Sequence, residues 1–158
     1  MNAPEPGQRY WQMLAPIWGS VSIYDGAEEF CKQFSQLRPD LGVLFAAHWL
    51  NSEVCNGGFH QFFSNPTGVL APEAHAAFQV LKLNEASALI RKAMDFFGPT
   101  YPREQMDRRA MLNAIEGKTR RECDPFFPLD EVYYRILSSA SQRFKLAADE
   151  HAGLIHDA

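Results

Sequence analysis

The stretch from Asp40 to Gly68, DLGVLFAAHWLNSEVCNGGFHQFFSNPTG, limits the possible folds of this chain more than any other. Leu41, Leu44, Phe45, His48 and Cys55 recur at helical spacing, while Val43, Ala47, Leu50 and Val54 widen the apolar face. A helix with so broad a face has to be surrounded, so it is expected at the centre of an all-α fold. At Asn56-Gly57-Gly58 the pattern meets residues suited to the left-handed turn that closes a helix. On a helix restarting at Phe59, an advance of about 100° per residue puts Phe59, Phe62 and Phe63 on one arc and Gln61 nearly opposite. Three rings then enter the core and Gln61 points elsewhere. Asn65 precedes Pro66 and is biased out of the helical region, and NPTG reads as a type I turn.

The rest of the chain repeats the helical theme. Apolar stripes bounded by Pro or Gly predict helices near 7–18, 26–37, 72–82 and 103–116. NEASALIRKAMDFFGP predicts another, opening on Asn84 and ending at Gly98-Pro99, with Ala86, Leu89, Ile90, Ala93, Met94 and Phe97 on its buried stripe. Asp130 and Glu131 follow DPFFP as start signals. After them Tyr133, Ile136, Leu137, Ala140, Phe144, Ala147, Ala148, His151, Leu154 and Ile155 predict one long C-terminal helix. Strand patterning is confined to GSVSIY, which has no partner to pair with. With 158 residues, 46% of them hydrophobic, the chain can bury one core. The expectation is a single-domain, irregular all-α bundle of about six to eight helices over residues 1–158.

Charge and cysteines narrow the function classes. The net charge is -4, and residues 1–79 hold seven acids against three bases, whereas residues 80–158 hold twelve of each. The run REQMDRRAMLNAIEGKTRREC interleaves Arg103, Arg108, Arg109, Lys118, Arg120 and Arg121 with Glu104, Asp107, Glu116 and Glu122. That reads as a solvated helix face with i,i+4 pairs, not as a phosphate-binding footprint, so direct nucleic-acid binding is not expected. Asp25, Glu28 and Glu29 gather at the start of a predicted helix, where carboxylates favour the positive end of the dipole. With Asp40 and Glu73 they form a candidate acidic face for a basic protein partner. Cys31, Cys55 and Cys123 make no even framework and no C-x-x-C pair, and they read as buried or unreactive thiols. No leader or membrane-length apolar run is read, so a soluble, cytoplasmic, reduced protein with no membrane contact is expected.

The most enzyme-like constellation is His48, Glu53, Asn56, His60 and Gln61. A metal site would need two ligands on one helical face, and neither His48 with Glu53 nor His60 beyond the break provides that spacing. No metal and no cofactor is expected, and no catalytic residue is assigned. Glu53 is expected to pair with Arg108 or Arg109, and Asn56 and Gln61 to satisfy backbone groups at the turn. The alternative is a small enzyme using Glu53 and His60 as acid and base in a cleft beside Asn56-Gly57-Gly58. Tyr10, Trp11, Trp18 and Tyr24 read as core or staple residues unless several prove exposed together.

The motif residues Glu53, Val54, Asn56, Gly57, Gly58, Phe59, Gln61, Phe62, Phe63, Asn65 and Gly68 resemble the signature of a bacterial domain-of-unknown-function family. Its best-known member is a DNA-mimic protein that binds a transcription factor. Leu129-Asp130-x-x-Tyr133-Tyr134 resembles the opening of that family's last helix, and Arg108 or Arg109 stands where an arginine is expected. The resemblance covers roughly residues 40–152 and implies an all-α domain that binds another protein, a transcription factor or other basic protein, without catalysis. Mimicry needs carboxylates near the phosphate density of a duplex, roughly one charge per 1.7 Å of axis. Nineteen acids offset by fifteen bases depart from that pattern, so the resemblance points first to protein binding.

Overall fold

A computed structural model describes residues 3–137 and 142–155. Eight α-helices follow one another among these residues: α1 (Gln8–Leu14), α2 (Gly26–Phe34), α3 (Pro39–Ser64), α4 (Ala71–Val80), α5 (Asn84–Met94), α6 (Gln105–Asn113), α7 (Phe127–Leu137) and α8 (Arg143–Gly153). Short 3₁₀ turns at Ala15–Ser20, Pro66–Leu70 and Asp95–Phe97 link them. No strand occurs among the described residues, and Val21 and Ile23 of GSVSIY bury their side chains from a loop.

The all-α bundle expected from the sequence is the fold observed, and α3 is its axis. Proline at its first position and Asp40 in its first turn suit the start of a helix. Leu44, Phe45, Ala46, Ala47, Leu50 and Val54 are fully or almost fully buried, against neighbours that include α1, α4, α6, α7 and α8. The helix bends where the sequence requires. Gly57 (φ -154°, ψ 21°) and Gly58 (φ 76°, ψ -179°) leave helical geometry, and the chain resumes as a helix at once. Phe59, Phe62 and Phe63 beyond the bend are all fully buried. Phe63 packs on Phe97, Phe126 and Tyr101, and Phe59 meets Tyr133 edge-on at 5.6 Å between centroids. Asn65 is extended at φ -85°, ψ 164°, and Pro66 opens a 3₁₀ turn in place of an isolated type I turn.

Two corrections to the sequence reading concern helix length and burial. The single helix expected from Asp130 to Ile155 is two helices, with Gln142 in left-handed geometry (φ 51°) immediately before α8. A residue in that geometry cannot continue an α-helix. Ala140 of the expected stripe lies outside the described residues. Cys55, placed by period on the buried face of α3, is exposed, as is Cys31.

Long-range caps tie the helices together. Asp149 on α8 accepts the Gly7 and Tyr10 amides at 2.6 and 2.8 Å, closing the start of α1. At the far end of α3, Arg108 is completely buried and donates to the carbonyls of Phe63 (2.8 Å) and Asn65 (2.9 Å), and also to those of Pro102 and Arg103. Arg109 and Gln105 both reach the Ser64 carbonyl, at 2.9 and 2.8 Å. A cation placed among the free carbonyls of a helix C-terminus is matched by the dipole there.

Candidate functional site

The signature residues divide into two assemblies on opposite sides of the α3 bend. On one side lies Glu53, whose carboxylate accepts Gln61 Nε2 at 2.7 Å, Asn65 Nδ2 at 3.0 Å and Thr67 Oγ1 at 3.1 Å. Gln61 in turn accepts Asn56 Nδ2 at 3.2 Å. The polar half of the motif therefore forms a closed network of side chains across the bend. This corrects two expectations. Glu53 is held by amides and a hydroxyl instead of Arg108 or Arg109, because those arginines are committed to the carbonyls that end α3. Asn56 and Gln61 bond each other and Glu53, where backbone partners were expected.

On the other side α7 spans the bend. Asp130 Oδ1 accepts the Phe59 amide at 2.8 Å, capping the resumed helix, while Tyr134 Oη donates to the Val54 carbonyl at 2.9 Å on the preceding segment. Tyr133 Oη donates to Asn51 Oδ1 at 2.8 Å. Gly58 is required twice over: its φ of 76° disfavours any side chain, and the Asp130 carboxylate occupies the space a Cβ would need. Burial pushes the Asp130 carboxyl up to about 6, the Phe59 amide pulls it down and the charge of Asp124 adds to the rise.

The acid–base pair considered from sequence is not assembled. His60 Nδ1 lies 3.3 Å from Ser64 Oγ, and no hydrogen bond joins it to Glu53 among the described residues. The cleft that does open beside Gly57 lies on the Asp130 side and has neither Glu53 nor His60 in its walls. His48 is also withdrawn from solvent, with Tyr10 Oη 3.1 Å from its Nδ1 and Trp11 and Trp18 against its ring. Burial lowers its pKa to about 4.

The candidate acids are distributed between paired and open positions. Glu29 lies 3.7 Å from Lys32, Asp40 2.8 Å from Arg38, and Glu73 receives both outer nitrogens of Arg103 at 2.9 and 2.8 Å. Asp25 and Glu28 are exposed at the start of α2. A residue that sequence reasoning missed joins them. Glu104, opening α6, accepts the Ala27 amide at 3.0 Å and so caps α2 from a position 77 residues away. Beside these acids is a shallow cleft of about 190 Å³ whose walls include Tyr24, Gly26, Glu104 and Met106. Tyr24 is 73% exposed and Met106 75%, whereas Tyr10 is buried and Trp18 half-buried. Of the four early aromatics, Trp11 (41% exposed) and Tyr24 thus stand outside the core.

The chain belongs to the DMP19-like protein family, whose profile matches residues 35–155. Comparison with curated proteins and with solved structures gave no match. Among the described residues no helix is long and apolar enough to cross a membrane.

Proposed function

We propose that this chain is a protein-binding module of the DNA-mimic type, docking a basic protein that otherwise holds nucleic acid. The observation that carries the reading is the convergence at the start of α2. Exposed Asp25 and Glu28, with Glu104 brought in from α6, flank two exposed anchors, Tyr24 and Met106. Carboxylates around a desolvatable aromatic and a thioether suit an interface whose charges select the partner and whose apolar centre holds it. Glu29, Asp40 and Glu73 add negative charge that neighbouring bases partly offset. Family membership supports the same reading, and the filled coordination of Glu53 favours it over acid–base chemistry at the motif.

The test starts from a partner captured out of the native host and identified by mass spectrometry. That partner should bind DNA or RNA on its own, and the added chain should displace the nucleic acid in a gel-shift assay. Reversal of Glu28 and Glu29 to lysine should weaken displacement about tenfold or more at low salt while leaving the melting temperature within a few degrees. Displacement undiminished by the reversal at low salt, or a partner that binds no nucleic acid, would overturn the reading.

A further inference from the structure

The α7 side of the bend contains a cleft of about 440 Å³, within the range that takes small ligands. Gly57, Asp130, Phe127 and Tyr134 line its interior, with Asp124 half-buried beside them. Exposed Glu131, Arg120 and Arg121 stand at its mouth. Most of the lining is apolar, and its most buried charged group is the Asp130 carboxylate, only 7% exposed. One oxygen of that carboxylate takes the Phe59 amide. The other has no hydrogen bond among the described residues, and no lysine or arginine lies within ion-pair distance of it. Arg121 belongs to the same lining, its guanidinium 4.3 Å above one face of the Phe127 ring.

The geometry points to a binding site for a small organic cation, an ammonium or guanidinium compound with an apolar body, its charge against Asp130 and its body against Phe127 and Tyr134. Two features select a cation. A carboxylate so far withdrawn from water gains from an opposite charge, and no ion pair reaches it among the described residues even though Arg120 and Arg121 stand at the mouth. Tyr134, whose ring no arginine covers among the described residues, adds an aromatic wall that favours cations over anions. Burial raises the pKa of Asp130, and Asp124 adds to the rise. This site is independent of the acidic end of α2, so it stands or falls apart from the protein-binding reading.

Phenethylamine and phenylacetate, which share a ring and differ in charge, test the assignment by NMR titration of the ¹⁵N-labelled chain. Phenethylamine should shift the Gly57, Phe59 and Tyr134 amides saturably, and phenylacetate should not. Asp130→Asn keeps an acceptor for the Phe59 amide and should weaken phenethylamine at least tenfold. In the wild type the affinity should rise several-fold from pH 5 to pH 7 as Asp130 ionises. The other charged or titratable groups facing the site are Asp124, Glu131, Arg120, Arg121 and Tyr134, with Cys55 of α3 acting on Tyr134. Loss of the pH dependence in Asp130→Asn assigns it to Asp130. Equal or tighter binding of phenylacetate, absence of saturation, or an amine affinity indifferent to Asp130→Asn would each overturn the site. Should that variant not fold, a wild-type affinity that is flat from pH 5 to pH 7 overturns it equally.

Discussion

Asp130 reaches back across 71 residues to accept the Phe59 amide at 2.8 Å, and in doing so occupies the space beside Gly58 that a side chain would fill. The glycine pair and the aspartate are therefore one device. Alanine at Gly58 meets both a left-handed φ of 76° and the carboxylate, so it should cost roughly 2–4 kcal/mol. At Gly57 the main obstacle is the amide end of the Gln61 side chain, which can turn aside, with the Gln61 Cβ a tighter-than-usual contact behind it, and roughly 1 kcal/mol is expected. Urea denaturation of the two single mutants checks the ranking. An equal cost at both positions would show that the carboxylate does not decide it.

Gln61 and a side chain at Gly57 compete for the same space. Gln61→Ala removes its bonds to Glu53 and Asn56 and should cost about 1–2 kcal/mol. It also removes the two nearest of the atoms that a Cβ at Gly57 would meet, leaving only the Gln61 Cβ close by. The double mutant should then be more stable than the sum of the two losses predicts, by at least about 0.5 kcal/mol in a double-mutant cycle. Strict additivity would mean that the two residues do not compete for the same volume.

Arg108 should behave as a buried structural cation. Removing it strands the Phe63 and Asn65 carbonyls away from water, so Arg108→Met should cost about 3 kcal/mol or more. Lysine retains the charge but lacks the planar fork that reaches several carbonyls, so Arg108→Lys should recover less than half of that loss. Chemical denaturation of both variants measures it, and full recovery by lysine would reduce the role of Arg108 to charge alone.

Half-buried His48 and buried Asp130 titrate in opposite senses. His48, with its pKa lowered to about 4, stays neutral in the folded chain while an unfolded histidine would bind a proton, so its contribution to stability is lost as pH falls below about 6.5. Asp130, raised to about 6, binds its proton more readily in the folded chain, so its contribution is lost as pH rises from about 4 through 6. Between pH 5 and 6 the two slopes oppose each other. Wild-type stability should be nearly flat in that window, and Asp130→Asn should uncover a clear rise with pH. Melting curves at several pH values decide it, and parallel profiles for the two proteins would refute the compensation.

The sequence made the bend and the phenylalanine stripe legible because both rest on local rules. A 3.6-residue period, a glycine pair and an X-Pro step each act within a few residues, and the structure follows all three at Phe59, Phe62, Phe63 and Asn65. Partner choice was not legible, because it depends on which distant group arrives. Opposite charge suggested Arg108 for Glu53, yet the carbonyls left free at the end of α3 take that guanidinium instead. Nothing local to Glu104 announces that it caps α2, and nothing local to Asp130 announces Phe59. The C-terminal periodicity ran on past Gln142 because side-chain spacing does not record the left-handed backbone there. Packing was read from pattern, and polar pairing required the fold.

Steering and anchoring should fall to different residues at the start of α2. Asp25 and Glu28 are exposed, so they act on an approaching basic partner through solvent and are screened beyond about 8 Å at physiological ionic strength. Reversing Glu28 together with Glu29 should slow association by tenfold or more at low salt and matter much less at high salt, with dissociation little changed. Tyr24 and Met106, largely exposed in the free chain, should act at the other stage. Once covered they are desolvated, so Tyr24→Ala should speed dissociation by about tenfold or more and leave the salt dependence of association intact. Because Tyr24 supports nothing in the core, its replacement should leave the melting temperature unchanged. Surface plasmon resonance with the captured partner, run at two salt concentrations, separates the two rates. If Tyr24→Ala leaves dissociation unaltered and the charge reversal leaves association unaltered, the partner docks elsewhere and the start of α2 is only a capped helix end.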